Sequence, residues 1–466
     1  MNFTDYDFLL FFLFVFSAYW LVQRTAWQNT LLLIAGFVFY GWVHPWYALL
    51  LGLSSAVDYF LAHGIARHRA RAGGLVALSL LVNVGVLGFF KYGNFITPGL
   101  AEALQRIGWE ADFLFMEIIL PVGLSFYTLK KLAYILDVSR GVLEPVRDPL
   151  AFGLFVSFFP QITAGPIDRA QTLIPQIQSA RVWSADHFYR AWPLIVMGFF
   201  KKIVIANTLS AAVDRVFAYQ HPPHVMLLAG GFGFAIQVLA DFSAYTDLAR
   251  GLAHLFGFET SKNFDAPYLS LTPTEFWNRW HITLSTWLRD YIFFPLRRRL
   301  IRAGAPGWLS DALPPIVTML VSGIWHGAGW TYVLWGGLFG VLIVIYQRLG
   351  LGGAWKPSNR FHAFFAWLVM IAILTVLFLI FRAPSLEWLV AAWRTGAAFG
   401  TSDERTAAVI TLSVTLCFTL PLAIKHMLDR AFRPDSNLHV VYYVAATVVM
   451  FVYLNAAAPD FIYFRF

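Results

Sequence analysis

Long apolar stretches, broken at intervals by short polar ones, run the length of the chain, and their lengths predict helices. Runs such as Phe8–Val22, Leu75–Phe90, Pro193–Ile205, Val225–Leu239, Phe361–Phe381 and Val409–Ile424 approach or reach the roughly 20 residues a helix needs to cross about 30 Å of hydrocarbon. With shorter or broken spans allowed for, the pattern predicts an all-α, polytopic membrane protein of about twelve transmembrane or re-entrant helices. No long linker, charge run, low-complexity stretch or internal repeat divides the chain, so residues 1–466 are expected to form a single membrane domain. The missing repeat weighs modestly against transporter folds built from two similar halves.

Charged side chains at membrane depth cost a few kcal/mol each on insertion scales, so they are expected to face a polar interior or a partner. Their locations outline a working cavity: "SFYTLKKLAYILDVSRG", "FFPQITAGPIDR", "GFFKKIVIAN", "ADFSAYTDLARGLAHLFGF" and "TPTEFWNRWHITLSTWLRDYIFFPL". The last has the clearest local logic. Thr272 as N-cap, Pro273 at the first helical position and Glu275 form a helix start. At 100° per residue Asn278, His281, Ser285 and Arg289 fall in one stripe, with Trp280, Leu284, Trp287 and Tyr291 opposite. This is an interfacial amphipathic helix whose polar stripe is free to face the protein's own cavity.

In "ADFSAYTDLAR", Asp247 is expected to pair with Arg250 three positions on. Asp241 has no local partner and is the better candidate for orienting a histidine or holding a polar ligand group. Lys130–Lys131 and Lys201–Lys202 are expected to snorkel to an interface or to meet anionic lipid or ligand phosphates. The histidines of "HPPH" and those beside the basic loop show no metal-site pattern, and no metal is expected.

Composition agrees with a lipid environment: 59% hydrophobic and 13% charged residues, with 45 Phe, 18 Trp and 19 Tyr, exceed what a soluble core of this length hides. The net charge of +8 sits in short loops between apolar runs and reads as a topology signal, not as a nucleic-acid surface. With Arg24, "RHRAR" (Arg67–Arg71) and Arg297–Arg299 inside, the N-terminus is expected outside. Asp5 and Asp7 stand where a signal peptide carries basic residues, so the first run is expected to remain as a helix. The single cysteine, Cys417, excludes an intramolecular disulfide.

"GIWHGAGW", Gly323 to Trp330, places an imidazole in an otherwise apolar region. With Arg297–Arg302 cytoplasmic, the run from Leu313 to Trp325 spans about 13 residues, roughly 20 Å of helix, and stops short of the far side. His326 then lies at membrane depth, where the glycines let the helix break or a second backbone approach. His281 and His326 are two neutral-pH proton carriers suited to general-base work. No Gly-x-Ser-x-Gly elbow, cysteine nucleophile or Walker loop accompanies them, which favours direct proton abstraction over an acyl-enzyme.

The stretches "LPVGLSFYTLKKLAYILDVSRG", "FFPQITAGPIDR", "GFFKKIVIAN", "DFSAYTDLARGLAHLFGF", "EFWNRWHITLSTWLRDYIFFPL", "SGIWHGAGWTYVLWG" and the closing "FIYFRF", in this order over most of the chain, resemble the membrane-bound O-acyltransferase family. The resemblance is strongest to the bacterial branch that includes the membrane subunit of alginate O-acetyltransferase. It implies helices ringed around a central tunnel, a thioester entering from the cytoplasm and an acceptor from the other side. His326 matches the family's catalytic histidine, and His281 its second histidine or asparagine position. Asn278, Ser285, Arg289, Asp241, Trp325 and Gln161 complete the expected substrate-binding set.

Within this branch acetyl passes from acetyl-CoA, a substrate and not a resident cofactor, toward periplasmic acetyltransferase partners that O-acetylate an exported polysaccharide. Two departures, "RRRLIRAG" after "RDYIFFPL" and Ala244 where glycine is common, bear on the polysaccharide more than on the chemistry. The runner-up is transfer of D-alanine or another acyl group to a cell-envelope polymer, distinguished by the donor it consumes. A transporter would move substrate without consuming thioester, and a scaffold would tolerate loss of His326.

Overall fold

In lipid only a helix or a closed barrel satisfies every backbone group, and every regular element among the described residues is helical. The computed structural model describes residues 1–109, 118–353, 355–454 and 461–462; the last four positions of the closing "FIYFRF", 463–466, lie outside the described residues. Among the described residues eight helical stretches are long and apolar enough to cross a membrane, and Tyr6–Leu21 and Asn437–Tyr453 are apolar but shorter. The expected twelve counted shorter and broken runs as crossings. Length and composition support eight.

The chain divides into two compact units, Met1–Leu194 with Leu248–Ser261, and Ile195–Asp247 with Lys262–Phe466. The first contains α1 (Tyr6–Leu21), α2 (Thr25–Gly41), α3 (Pro45–Arg67), α4 (Ala72–Gln105), α5 (Leu124–Ser139), α6 (Pro149–Ser157) and α7 (Ala170–Gln178). Helix α5 begins at Gly123 with φ 84°, where a Cβ would meet the Ile162 carbonyl oxygen at 2.4 Å, so no side chain fits there.

Lys130 and Lys131 do not reach an interface. Both are buried, because acidic and amide partners lie inside the same unit. Lys131 Nζ stands 3.4 Å from Asp58 Oδ2, and Asp58 also accepts from Ser79 Oγ at 2.6 Å and from Asn83 Nδ2 at 2.8 Å. Lys130 donates to Gln161 Oε1 at 3.2 Å, and Gln161 Nε2 donates to Asp168 Oδ2 at 2.6 Å. Gln161 therefore engages both ends of its amide within a buried network.

Three helices follow, α8 (Ala185–Phe200), α9 (Asn207–Ala218) and α10 (His224–Leu255), of which the first and last contribute residues to both units. A π turn over Lys201–Ala206 joins α8 to α9. It widens the helix locally and buries both lysines. Lys201 donates to Ser243 Oγ at 2.9 Å and to Asp247 Oδ2 at 2.6 Å, and Lys202 to Asp241 Oδ1 at 2.7 Å. Asp247, expected to pair with Arg250, instead takes a lysine 46 positions earlier in the chain. Lys201 and Lys202, expected at an interface or against lipid or ligand phosphates, have acidic partners on α10.

The second unit continues with α11 (Pro273–Arg279), α12 (Ile282–Leu288), α13 (Phe294–Arg302), α14 (Gly307–His326), α15 (Trp330–Arg348), α16 (Arg360–Arg382), α17 (Leu386–Thr395), α18 (Ser402–Ala431) and α19 (Asn437–Tyr453). Its core is aromatic, with Phe234, Phe276, Trp280, Trp335, Phe339 and Phe378 buried together. Helices α14 and α15 form the most extensively packed pair. A Cβ at Gly323 would stand 2.2 Å from the Tyr332 carbonyl oxygen, and one at Gly336 2.3 Å from that of Met319, so glycine permits the two backbones to touch.

Candidate active site

The polar stripe expected on one continuous helix is split by the backbone. Thr272 Oγ1 caps α11 by accepting from the Glu275 N–H at 3.1 Å, and Glu275 reaches back to the N–H of Leu271 at 2.8 Å, one residue before the cap. The helix stops after Arg279. Trp280 is extended, and His281 takes the left-handed conformation, φ 42° and ψ 52°, uncommon for a residue with a side chain. Asn263 makes this possible. Its carbonyl oxygen accepts from the Ile282 N–H at 2.9 Å, and its Oδ1 accepts from the N–H and hydroxyl of Thr283 at 3.0 and 2.9 Å, supplying partners to the exposed start of α12.

The break sends the stripe in two directions. Asn278, Ser285 and Arg289 line a cavity of about 390 Å³ together with Trp277, Thr318, Met319 and Gln347. A second π turn, Arg289–Phe293, begins at the arginine. His281 is fully buried elsewhere, with the Phe242 ring 4.7 Å away edge-on and that of Trp325 at 6.0 Å. It lies between the candidate spans, and burial pushes its pKa down to about 3, so the ring is neutral at physiological pH.

His326 is the last residue of α14, and Gly327 continues in extended backbone. The helix ends at the histidine, as the glycine pattern predicts. Its ring packs against Trp325 at 5.0 Å, Trp335 at 5.3 Å and Phe381 at 5.4 Å, and only 6% of the residue is exposed. The two histidine rings lie 6.5 Å apart. Such a pair, in an aromatic box, suits proton transfer at a site from which water is largely excluded.

Residues 144–387 match the family model for membrane-bound O-acyltransferases, a span that takes in the αL break, the cavity and both histidines. The chain belongs to the membrane-bound O-acyltransferase family. It is a multi-pass membrane acyltransferase. Among its relatives within that family, a probable alginate O-acetylase of Pseudomonas aeruginosa is 37% identical over 398 residues, covering 84% of this chain and 74% of that one. A peptidoglycan O-acetyltransferase of Helicobacter pylori is 30% identical, over 80% of this chain and 75% of its own length. A teichoic acid D-alanyltransferase of Bacillus subtilis is 28% identical over 54% of this chain and 64% of its own.

Of the expected site residues in this acyltransferase, His281, His326 and Trp325 come together, and Asn278, Ser285 and Arg289 share the cavity. Asp241 is engaged by a lysine and by the start of the closing motif. Its Oδ1 holds Lys202 and its Oδ2 accepts from the Ile462 N–H, while the Lys202 ammonium also stands 4.3 Å from the centre of the Phe461 ring. Its neighbour Phe242 is the residue that reaches His281. Asn263, Phe242, Trp335 and Phe381 escaped the sequence reading because nothing in their local pattern marks them. The i, i+4, i+8 spacing of Thr318, Ser322 and His326 on α14 was a usable signal.

Proposed function

We propose that this enzyme moves acetyl from cytoplasmic acetyl-CoA across the bacterial inner membrane for O-acetylation of an exported, alginate-like cell-surface polysaccharide. The observation that carries the reading is the buried pair of imidazoles 6.5 Å apart, close enough for one small acceptor group to touch both. His326 acts as general base on the acceptor hydroxyl. The hydroxyl oxygen attacks the thioester carbonyl carbon, the proton passes to His326, and the departing thiolate of CoA takes it back. Neutral His281 orients the reacting groups. Trp325, packed against both histidines, walls off water.

The donor enters by the cavity, with Arg289 toward its phosphates and Asn278 and Ser285 toward its amide groups. The names of the relatives, acetylases and acetyltransferases of alginate and peptidoglycan over most of the chain, support acetyl as the group and a polysaccharide as the destination. Periplasmic acetyltransferase partners complete the transfer to the polymer, and the N-terminus lies on their side of the membrane. A D-alanyl donor is the second reading, favoured by similarity to a teichoic acid D-alanyltransferase over 54% of the chain.

The test is CoA release from acetyl-CoA, with a hydroxyl acceptor, by inside-out and right-side-out membrane vesicles carrying wild type or His326→Ala. Release by inside-out vesicles alone, abolished by the substitution in protein that remains monodisperse, is the expected result. Equal release from both proteins rules out His326 as the base. No release from wild type shifts the assignment to another donor, an aminoacyl carrier first.

A further inference from the structure

Helix α14 carries three polar residues at i, i+4 and i+8, Thr318, Ser322 and His326, a spacing that stacks them along one face. Thr318 lines the cavity, and His326 ends the helix. Ser322 stands between them, fully buried. A helical serine or threonine ordinarily donates its hydroxyl to the carbonyl four residues back. Thr375, Thr415 and Thr447 do so, at 2.8, 2.7 and 2.8 Å. Among the described residues the hydroxyls of Thr318 and Ser322 have no hydrogen-bond partner.

A second file of donors runs beside the first. The indole N–H groups of Trp277 and Trp335 are also buried without a partner among the described residues. Trp277 lines the cavity, its ring lies 5.8 Å from that of Trp335, and Trp335 lies 5.3 Å from His326. Unpaired buried donors are uncommon in folded proteins. Four of them bracket the interval between the cavity and the catalytic base, and a ligand rich in acceptors would use all of them.

We propose that Ser322 is a catalytic residue whose hydroxyl, seconded by the Trp335 indole, donates to the thioester carbonyl oxygen, while Thr318 and Trp277 hold the amide carbonyls of the donor's pantetheine arm. The inference rests on the thioester reading above. As the acceptor oxygen bonds to the carbonyl carbon, the π electrons of the carbonyl move onto its oxygen, where Ser322 and Trp335 stabilise the negative charge. Collapse restores the carbonyl and expels the thiolate, which takes the proton from His326. Donors aimed at the oxygen that gains charge act on the transition state more than on binding.

The experiment uses full-length protein in nanodiscs with acetyl-CoA and a hydroxyl acceptor, and compares wild type with Ser322→Ala, Ser322→Cys and Thr318→Val. S-ethyl-CoA, which lacks the carbonyl, serves as the binding probe. Ser322→Ala is expected to lower kcat roughly 100-fold with KM and S-ethyl-CoA affinity little changed, and Ser322→Cys, a weak donor of similar size, to fall between. Thr318→Val is expected to raise KM while keeping kcat.

A Ser322→Ala enzyme with wild-type kcat overturns the proposal, as does loss of S-ethyl-CoA binding in step with the rate. If neither Ser322 variant folds, the hydroxyl is a packing requirement and the proposal falls. Wild-type protein that releases no CoA defeats the thioester reading itself, an outcome separable from all of these.

Discussion

His281 is held in a conformation its own side chain disfavours, and Asn263 is the residue that holds it. A left-handed backbone at a non-glycine residue costs on the order of 1 kcal/mol or more, so it persists only where neighbours over-determine it. Asn263 does this by giving α12 three hydrogen bonds at its start. Asn263→Ala removes the two made by its side chain and leaves the Thr283 N–H and hydroxyl buried without their acceptor. The expected loss is about 2 kcal/mol of stability, read as a lower thermal midpoint in detergent. A larger proportional fall in CoA release is expected, because His281 loses its fixed direction. Full activity in a destabilised variant would show that the αL turn does not position the histidine.

Among the elements, the legibility of the sequence divides along the range of its interactions. The cap at Thr272 and the helix end at His326 were readable because a few adjacent residues decide them. The stripe from Asn278 to Arg289 was misread because a 3.6-residue period assumes an unbroken helix, and the break at His281 depends on Asn263, outside the repeating pattern. The lysine pairs were misread for the same reason. Lys202 and Asp241 lie 39 positions apart, and no local pattern joins them.

The approach of α14 to α15 was legible only as a glycine-rich stretch. Gly323→Ala places a Cβ against the Tyr332 carbonyl oxygen and must separate the two helices where His326 and Trp335 face each other. A lower thermal midpoint and reduced CoA release, with S-ethyl-CoA binding retained, are the expected results. An unchanged midpoint would mean that the pair yields without cost.

At the scale of the whole molecule, buried ion pairs join segments far apart in the chain. Lys202, on the π turn, and Asp241, on α10, meet the start of the closing motif at Phe461 and Ile462. Breaking a buried pair from one side strands a charge and costs roughly 3–5 kcal/mol, whereas replacing both partners with apolar residues is often neutral. Lys202→Met alone is therefore expected to lower yield and thermal midpoint sharply, and Lys202→Met with Asp241→Leu to recover part of the loss. A double variant no better than the single would make the Ile462 contact, not the charge pair, the stabilising element. The division into two units says where such losses stay local: Lys131 and Asp58 belong to the first, and Lys202 and Asp241 to the second.

The π turn at Lys201–Ala206 has a consequence for descent. A π turn is what an α-helix becomes when one residue is inserted and the helix on either side keeps its place, so its phase depends on residue count. Deleting a single codon inside it would restore ordinary α geometry without turning α8 against α9, but would remove the wide turn in which Lys201 and Lys202 reach their aspartates. Point substitutions can accumulate along this helix one at a time. A change of length cannot, so drift at this locus is expected to alter letters and to preserve spacing.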